Sequence, residues 1–299
     1  MAQKTPLRLG ILSAFALLPA LAQGGFPYPP QMQGAVEMEY KTAGDVHLKL
    51  YVFNPPGFHA NDKRPAIVFF FGGGWTSGSP KQFEQHCRHL ASRGMVAITA
   101  DYRVSSRHRV KAVDCVRDAK SAIRWVRQNA SRLGVDPHRI AAGGGSAGGH
   151  LAAAAALIPG LDETTGDTQI SSRPDALVLF NPAAVLAPVP GLPNGRSPAD
   201  MEKRMGLPLE QISPYHHIAK GAPPTVIFHG QADTTVPYST VEAFAKRMAE
   251  LGNRCDLHGF EGENHGFFNY GRGGNKAFQD TLAKTDAFLV SLGYLKPAR

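Results

Sequence analysis

The chain has 299 residues, of which 43% are hydrophobic and 19% charged, and a formal net charge of +8. A disordered chain would be poorer in apolar residues and richer in charge, so this composition predicts one large folded domain or two small ones. No apolar run reaches the roughly 18 residues that a membrane-spanning helix needs. The basic residues are scattered without interleaved aromatics, so we expect no nucleic-acid partner.

The first residues have the features of an export signal. Lys4 and Arg8 precede an apolar stretch from Gly10 to Ala22, and Ala20-Leu21-Ala22 has the A-x-A pattern of a cleavage site. A proline- and glycine-rich segment that cannot continue a helix follows at once. We therefore expect residues 1–22 to be a signal peptide, residues 23–299 to form a single catalytic domain, and the protein to be secreted or periplasmic.

Along the rest of the chain, strands and helices alternate. A β-hairpin is predicted over residues 35–53, because alternating apolar residues flank a turn. Further strands are predicted at 66–71, 96–100, 139–142, 176–180, 225–228 and 255–260, and helices at 81–92, 110–133, 149–158, 241–251 and 275–292. This order predicts an α/β fold, with a mostly parallel central sheet and helices on both faces. A segment rich in proline and glycine, at about 182–222, is predicted to be an insert over the site.

The strongest chemical signal is Gly144-Gly145-Ser146-Ala147-Gly148, a G-x-S-x-G pattern. A predicted strand leads into it and a small-residue helix leaves it, which is the setting of a nucleophile elbow. A phosphate-binding loop is disfavoured, because neither G-x-G-x-x-G after the first strand nor G-K-[ST] is present. Ser146 is therefore the candidate nucleophile.

A serine nucleophile needs a general base, and in this fold an acid and then a histidine follow it along the chain. Asp233 follows the strand at 225–228, and His265 follows the strand at 255–260. The carboxyl ends of parallel strands carry the active-site residues of open α/β sheets. Asp233 is the preferred acid, while Glu261 and Glu263 remain alternatives that lie very close to His265 in the chain.

An acyl-transfer site also needs backbone N–H donors for the developing oxyanion. Three glycines follow the buried strand at 66–71, and glycine lets the backbone approach a substrate closely. Gly73, Gly74 and the amide of Ala147 are the candidate oxyanion donors. Trp75 is equally compatible with lining a substrate pocket and with packing in the core. The histidine pairs have no metal-ligand spacing, so we expect no metal and no cofactor.

Together these residues give the sequence a family resemblance. The motifs are the glycine loop, the elbow from Gly144 to His150, Asp101-Tyr102-Arg103, Asp118-Ala119 with Trp125-Val126, His229-Gly230 with Asp233 and Val236-Pro237, and Asn264-His265-Gly266. The sequence resembles the hormone-sensitive-lipase-like esterases, and most of all secreted bacterial proteins related to acetylxylan and feruloyl esterases. The resemblance implies an α/β-hydrolase fold, a cofactor-free carboxylesterase and the site roles assigned above.

One position departs from the family pattern: Phe71 stands where these esterases usually have histidine, which affects the hydrogen bonding of the glycine loop. The chain also has no long helical cap before residue 35, which suggests an open site. We expect a secreted serine esterase that removes short acyl groups, acetyl above all, from small or polysaccharide substrates. Leu186, Val189 and Leu192 offer only a small apolar surface for the acyl group. The alternatives are an arylformamidase or peptidase of the same fold, and a non-catalytic carbohydrate-binding relative.

Overall fold

The computed structural model describes residues 26–163, 167–193 and 197–298. The predicted signal peptide at 1–22 therefore lies outside the described residues. The strands are β1 Val36–Ala43, β2 Val46–Phe53, β3 Arg64–Phe70, β4 Val96–Ala100, β5 Val135–Gly145, β6 Ala176–Phe180, β7 Thr225–Gly230 and β8 Cys255–Phe260. The helices are α1 Glu84–Ser92, α2 Ser105–His108, α3 Ala112–Gln128, α4 Ala147–Leu157, α5 Pro198–Met205, α6 Leu209–Ile212, α7 Tyr238–Glu250 and α8 Lys276–Ser291.

The eight strands form one sheet in the order β1-β2-β4-β3-β5-β6-β7-β8. The β1–β2 and β2–β4 pairs are antiparallel, and every pair from β4–β3 to β7–β8 is parallel. The predicted α/β class with a mostly parallel sheet is confirmed. Because β5, β6, β7 and β8 are consecutive neighbours, the loops after them meet along one edge of the sheet.

Helices cover both faces of this sheet and bury two apolar layers. One layer packs α3, α4 and α7 on the sheet, and the other packs α1 and α8 on its opposite face. Cys115 of α3 lies in the first layer and Cys87 of α1 in the second, and both are free thiols. Among the described helices, none has the length and apolar character to cross a membrane.

Several element boundaries differ from their predictions. The strand predicted to end at residue 142 runs through Gly145. Its glycines leave room for the Phe69 ring of the neighbouring strand, since a Cβ on Gly143 would lie 2.6 Å from that ring. The helix predicted over 81–92 begins as a 3-10 turn, Pro80–Phe83, capped by the Ser79 hydroxyl. The helix predicted over 110–133 is shorter and spans Ala112–Gln128. At its start the Lys111 backbone N–H donates to the Asp114 side chain, and a turn follows its end. Helices α2, α5 and α6 were not predicted.

Candidate active site

Ser146 occupies the sharp turn between β5 and α4. Its φ of 54° and ψ of −116° lie in a strained region for a residue with a side chain. The turn is possible because its neighbours lack a Cβ: one at Gly148 would lie 2.0 Å from the Phe70 carbonyl oxygen, and one at Gly144 would lie 2.5 Å from Gly148. The predicted strand–turn–helix setting of the G-x-S-x-G pattern is therefore present.

Asp233 and His265 meet at the ends of β7 and β8. His265 Nδ1 lies 2.7 Å from Asp233 Oδ2. Gly230 allows the two loops to close, since a Cβ there would be 2.2 Å from the Glu263 carbonyl oxygen, which instead accepts the Ala232 amide at 3.0 Å. Glu263 thus contributes its backbone to this contact. The structure pairs His265 with Asp233, the acid preferred from the sequence.

Several further donors converge on the carboxylate of Asp233, whose side chain is fully buried. The Asn181 amide donates to Oδ2 at 2.7 Å, and the backbone N–H groups of Thr235 and Val236 donate to Oδ1 at 2.8 and 2.9 Å. Burial alone would raise the pKa of Asp233, but hydrogen bonds from the His229 and His265 rings and the Val236 amide outweigh it and hold the pKa well below its usual range. The carboxylate is therefore ionised and fixed in orientation.

Ser146 lies at the same edge of the sheet as this pair. Its amide donates to the Phe180 carbonyl at 2.9 Å, and Phe180 precedes Asn181. A Cβ on Gly145 would lie 2.5 Å from the Phe268 ring, three residues after His265. The structure records no hydrogen bond between the Ser146 hydroxyl and the His265 ring. Catalytic hydrogen bonds of this kind often tighten only when substrate binds.

The glycine loop after β3 is held by both groups of its first peptide. Tyr102 Oη donates to the Phe71 carbonyl at 2.6 Å, and its ring stacks on the Phe71 ring with centroids 4.0 Å apart. The Gly72 amide donates to Gln82 Oε1 at 2.7 Å. Phe71 therefore anchors the loop by stacking and through its carbonyl. The Gly72 N–H is engaged and is not a candidate oxyanion donor.

The next two amides of the loop, with that of Ala147, are the ones left to face a substrate. Gly73 has φ of 122°, and a Cβ there would lie 2.1 Å from the Ser77 carbonyl oxygen. The Gly73 carbonyl accepts the Thr76 and Ser77 amides at 3.1 Å, which orients the Gly73–Gly74 peptide. Within the described part of the chain, the N–H groups of Gly73, Gly74 and Ala147 donate to no protein acceptor.

Trp75 lines a cavity and is also packed in the core. It is 6% exposed, and its indole N–H donates to His150 Nδ1 at 3.2 Å. The other ring nitrogen of His150 lies 2.8 Å from the Ile212 carbonyl oxygen and donates to it. Burial lowers the pKa of His150 to about 4, so the ring is neutral and can accept from Trp75.

The Ser146 side opens into an apolar cavity of about 530 Å³. The described residues that line it from the predicted insert include Leu186, Val189, Leu192 and Met201. Arg204 of α5 also lines it and donates to the Gly74 carbonyl at 2.5 Å and to Thr76 Oγ1 at 2.7 Å. The insert therefore both walls the cavity and holds the glycine loop.

Five residues around the site were not found from the sequence: Gln82, His150, Asn181, Arg204 and, as a donor to Asp233, His229. Only Asn181 left a usable signal, since a polar residue directly after a buried strand lies at the active edge of a parallel sheet. Gln82, His150 and Arg204 act through contacts with residues in other segments, and His229 acts on Asp233 from four residues earlier in the chain. In the described ranges, no group of three His, Cys, Asp or Glu side chains is arranged to hold a metal ion.

Comparison with known proteins finds esterase relatives and a family match. A family model described as BD-FAE matches residues 50–248, about two thirds of the chain, and one described as the dienelactone hydrolase family matches residues 206–297. The apo structure of Thermogutta terrifontis esterase 2 is 54% identical, with a TM-score of 0.88 over 91% of this chain and 100% of that one. The propionate-bound structure of the same esterase is 54% identical, with a TM-score of 0.88 over 92% of this chain and 100% of that one.

Curated relatives match over a smaller share of their length. The probable carboxylic ester hydrolase LipM of Mycobacterium tuberculosis is 28% identical over 72% of this chain and 54% of its own. The chain thus spans about half the length of such relatives. The fold defines the chain as an α/β-hydrolase, as the family resemblance implied, and the relatives it matches are named esterases or carboxylic ester hydrolases. Within that class, the chain belongs to the BD-FAE family.

Proposed function

We propose that this protein is a secreted serine esterase that hydrolyses short-chain acyl esters, acetyl above all, on sugars and polysaccharides. The observation that supports it most is the arrangement of Ser146 on its strained elbow, the His265–Asp233 pair at 2.7 Å, and two unpaired glycine amides beside an apolar cavity. This is the equipment of acyl transfer through a covalent intermediate.

In the proposed mechanism, Ser146 Oγ attacks the ester carbonyl carbon as His265 Nε2 takes its proton. Asp233, bonded to Nδ1, stabilises the imidazolium that forms. The negative oxygen is bound by the N–H groups of Gly73, Gly74 and Ala147. The intermediate collapses to an acyl-enzyme, and the leaving alcohol takes the proton from His265. Water then repeats the sequence and releases the acid.

Two features support a short acyl group. The apolar cavity beside Ser146 is walled by apolar side chains of the insert, without a long lid helix among the described residues. The related Thermogutta esterase 2 has been solved with propionate and with butyrate bound. Both ligands are carboxylates with short acyl chains.

A sugar as the alcohol is supported by a second, polar cavity on the His265 side. It measures about 630 Å³ and is lined by His265 together with Glu261, Glu263, Arg272 and Lys276. Charged and hydrogen-bonding side chains of this kind suit hydroxyl groups better than an alkyl chain. The leaving alcohol takes its proton from His265, so its place is on this side of the site.

The test of the triad is Ser146→Ala, which removes only the attacking oxygen. Turnover of p-nitrophenyl acetate is expected to fall by on the order of 10⁴–10⁶, with an unchanged melting temperature. A variant that keeps even a tenth of the wild-type rate would contradict the assignment of the nucleophile.

Substrate and location need separate measurements. Acetylated xylan, a feruloyl ester and N-formylkynurenine are to be compared at equal enzyme concentration, and acetate release from xylan is expected to have the highest kcat/KM. Faster turnover of N-formylkynurenine would instead favour the arylformamidase alternative.

Export predicts that the protein recovered outside the cytoplasm begins at Gln23, which N-terminal mass spectrometry checks. A full-length chain retained in the cytoplasm would contradict export.

A further inference from the structure

Two carboxamide side chains connect the glycine loop to the His265 loop. Gln82 Oε1 accepts the Gly72 amide at 2.7 Å, and Gln82 Nε2 donates to Asn269 Oδ1 at 2.9 Å. Asn269 Nδ2 then donates to the Gly266 carbonyl at 2.9 Å. The connection is therefore continuous from the residue before the proposed oxyanion donors to the residue after the proposed base.

Backbone groups at both ends fix the direction of this chain of hydrogen bonds. The Gly72 N–H can only donate, so the Gln82 oxygen must face it and the Gln82 nitrogen must face Asn269. The Gly266 carbonyl can only accept, so the Asn269 nitrogen must face it. Each amide therefore has one orientation that satisfies both of its neighbours, and neither can rotate without losing two bonds.

The connection lies directly beside the nucleophile. A Cβ on Gly72 would be 3.4 Å from Ser146 Cβ and 3.6 Å from Gln82 Oε1. Tyr102 holds the carbonyl of the Phe71–Gly72 peptide at 2.6 Å while Gln82 holds its N–H, so this peptide is fixed at both ends. Asn269 is 7% exposed, which keeps water from competing for its bonds.

We propose that Gln82 and Asn269 are positioning residues that keep the oxyanion donors and His265 in register with Ser146. This inference rests on the proposed function, because it takes Gly73, Gly74 and His265 in their proposed roles. Oxyanion donors and base act in the same transition state, and small displacements of either reduce their contribution steeply. Loss of the connection should therefore lower kcat and leave KM nearly unchanged.

The experiment compares Gln82→Met, Asn269→Leu and the double variant with the wild-type enzyme, using p-nitrophenyl butyrate. Active-site titration with paraoxon corrects for any inactive fraction. Each single variant is expected to lose about 10- to 100-fold in kcat, with KM changed less than about threefold. Because the two residues act as one unit, the double variant should lose no more than the worse single variant.

A control and a second probe separate positioning from general stability. Gln85→Met makes the same chemical change three residues along, on α1, and should keep wild-type kcat. An aryl trifluoromethyl ketone, whose Ser146 adduct places an oxyanion on the loop amides, should bind each variant more weakly by the factor lost in kcat/KM. A purely structural role would lower the melting temperature and leave this affinity unchanged.

The outcomes are distinguishable from failure of the proposed function. If Ser146→Ala is inactive while Gln82→Met and Asn269→Leu match Gln85→Met in kcat and inhibitor affinity, the positioning role is wrong and the triad stands. If the two losses multiply in the double variant, the residues act separately and the connection is wrong. If Ser146→Ala is active, the proposed function itself fails.

Discussion

His86 is a buried imidazole without a hydrogen-bond partner on either ring nitrogen in the described part of the chain. It is 1% exposed. The rings that surround it are those of Phe69, Phe83, Phe180, Phe268 and Phe278. His150 is equally buried, but both of its nitrogens are bonded, to Trp75 and to Ile212. The two histidines therefore contribute oppositely to stability.

Replacing His86 by leucine, which has a similar volume, should stabilise the fold. It removes an unpaired buried polar group, whose cost is about 1–3 kcal/mol. His150→Leu is the matched contrast and should destabilise by a similar amount, because it leaves the Trp75 N–H and the Ile212 carbonyl unpaired. Urea unfolding of both variants measures the two free energies. Equal effects in the two variants would contradict the argument.

At the scale of elements, α5 sets the size of the acyl cavity. Met201 on this helix lines the cavity with Leu186 and Val189, and Arg204, one turn later, holds the Gly74 carbonyl. The same short helix therefore limits the length of the acyl chain and supports the loop that carries the oxyanion donors.

Substitutions at Met201 should move the preferred acyl length in opposite directions. Met201→Ala enlarges the cavity and should favour esters about two carbons longer, while Met201→Trp should favour acetate, since one methylene in a fitted pocket is worth about 1–3 kcal/mol. The measurement is kcat/KM for p-nitrophenyl esters from acetate to octanoate. Met38→Ala, on β1 and outside the cavity, is the control and should keep the wild-type profile. If the preferred acyl length shifted in the same way in all three variants, α5 would not be what sets acyl-chain length.

At the scale of the whole molecule, three buried groups contribute to the response to acid. Burial lowers the pKa of His86 to about 3 and of His150 to about 4, and raises the pKa of Asp101 to about 6. Below about pH 6.5 the unfolded chain protonates both imidazoles while the folded chain does not. The free energy of unfolding therefore decreases as the pH decreases. Asp101 acts oppositely, because its folded form binds a proton between about pH 6 and 4.

The two histidines should outweigh the one aspartate. Between pH 7.5 and 4.5 we expect these three groups together to lower the free energy of unfolding by about 3 kcal/mol, at about 1.4 kcal/mol for each pKa unit. Asp233, whose pKa is lowered, adds its own loss only below about pH 4, where its unfolded form protonates. Chemical denaturation at several pH values measures how the free energy of unfolding changes with pH. His86→Leu should roughly halve the histidine contribution, and an unchanged slope in that variant would contradict the prediction.

Much of this molecule follows from local sequence. The apolar runs predicted the strands, because burial on two faces requires continuous apolar residues, and their alternation with helices predicted a mostly parallel sheet. The G-x-S-x-G turn predicted the elbow, because only glycine tolerates backbone that approaches as closely as Phe70 approaches Gly148. Ser146, Asp233 and His265 could be proposed because each follows a strand on the active edge.

What only the tertiary structure decided depends on contacts between distant segments. Local sequence left Asp233, Glu261 and Glu263 open as acids, and the backbone closure at Gly230 brings Asp233 to His265. The sequence proposed Gly73 and Gly74 as oxyanion donors, and the structure adds that the amide of the first glycine, Gly72, is engaged by Gln82. Gln82 and Asn269 lie 187 residues apart in the chain. A hydrogen bond between such residues has no local signature, because folding alone brings its donor and acceptor together.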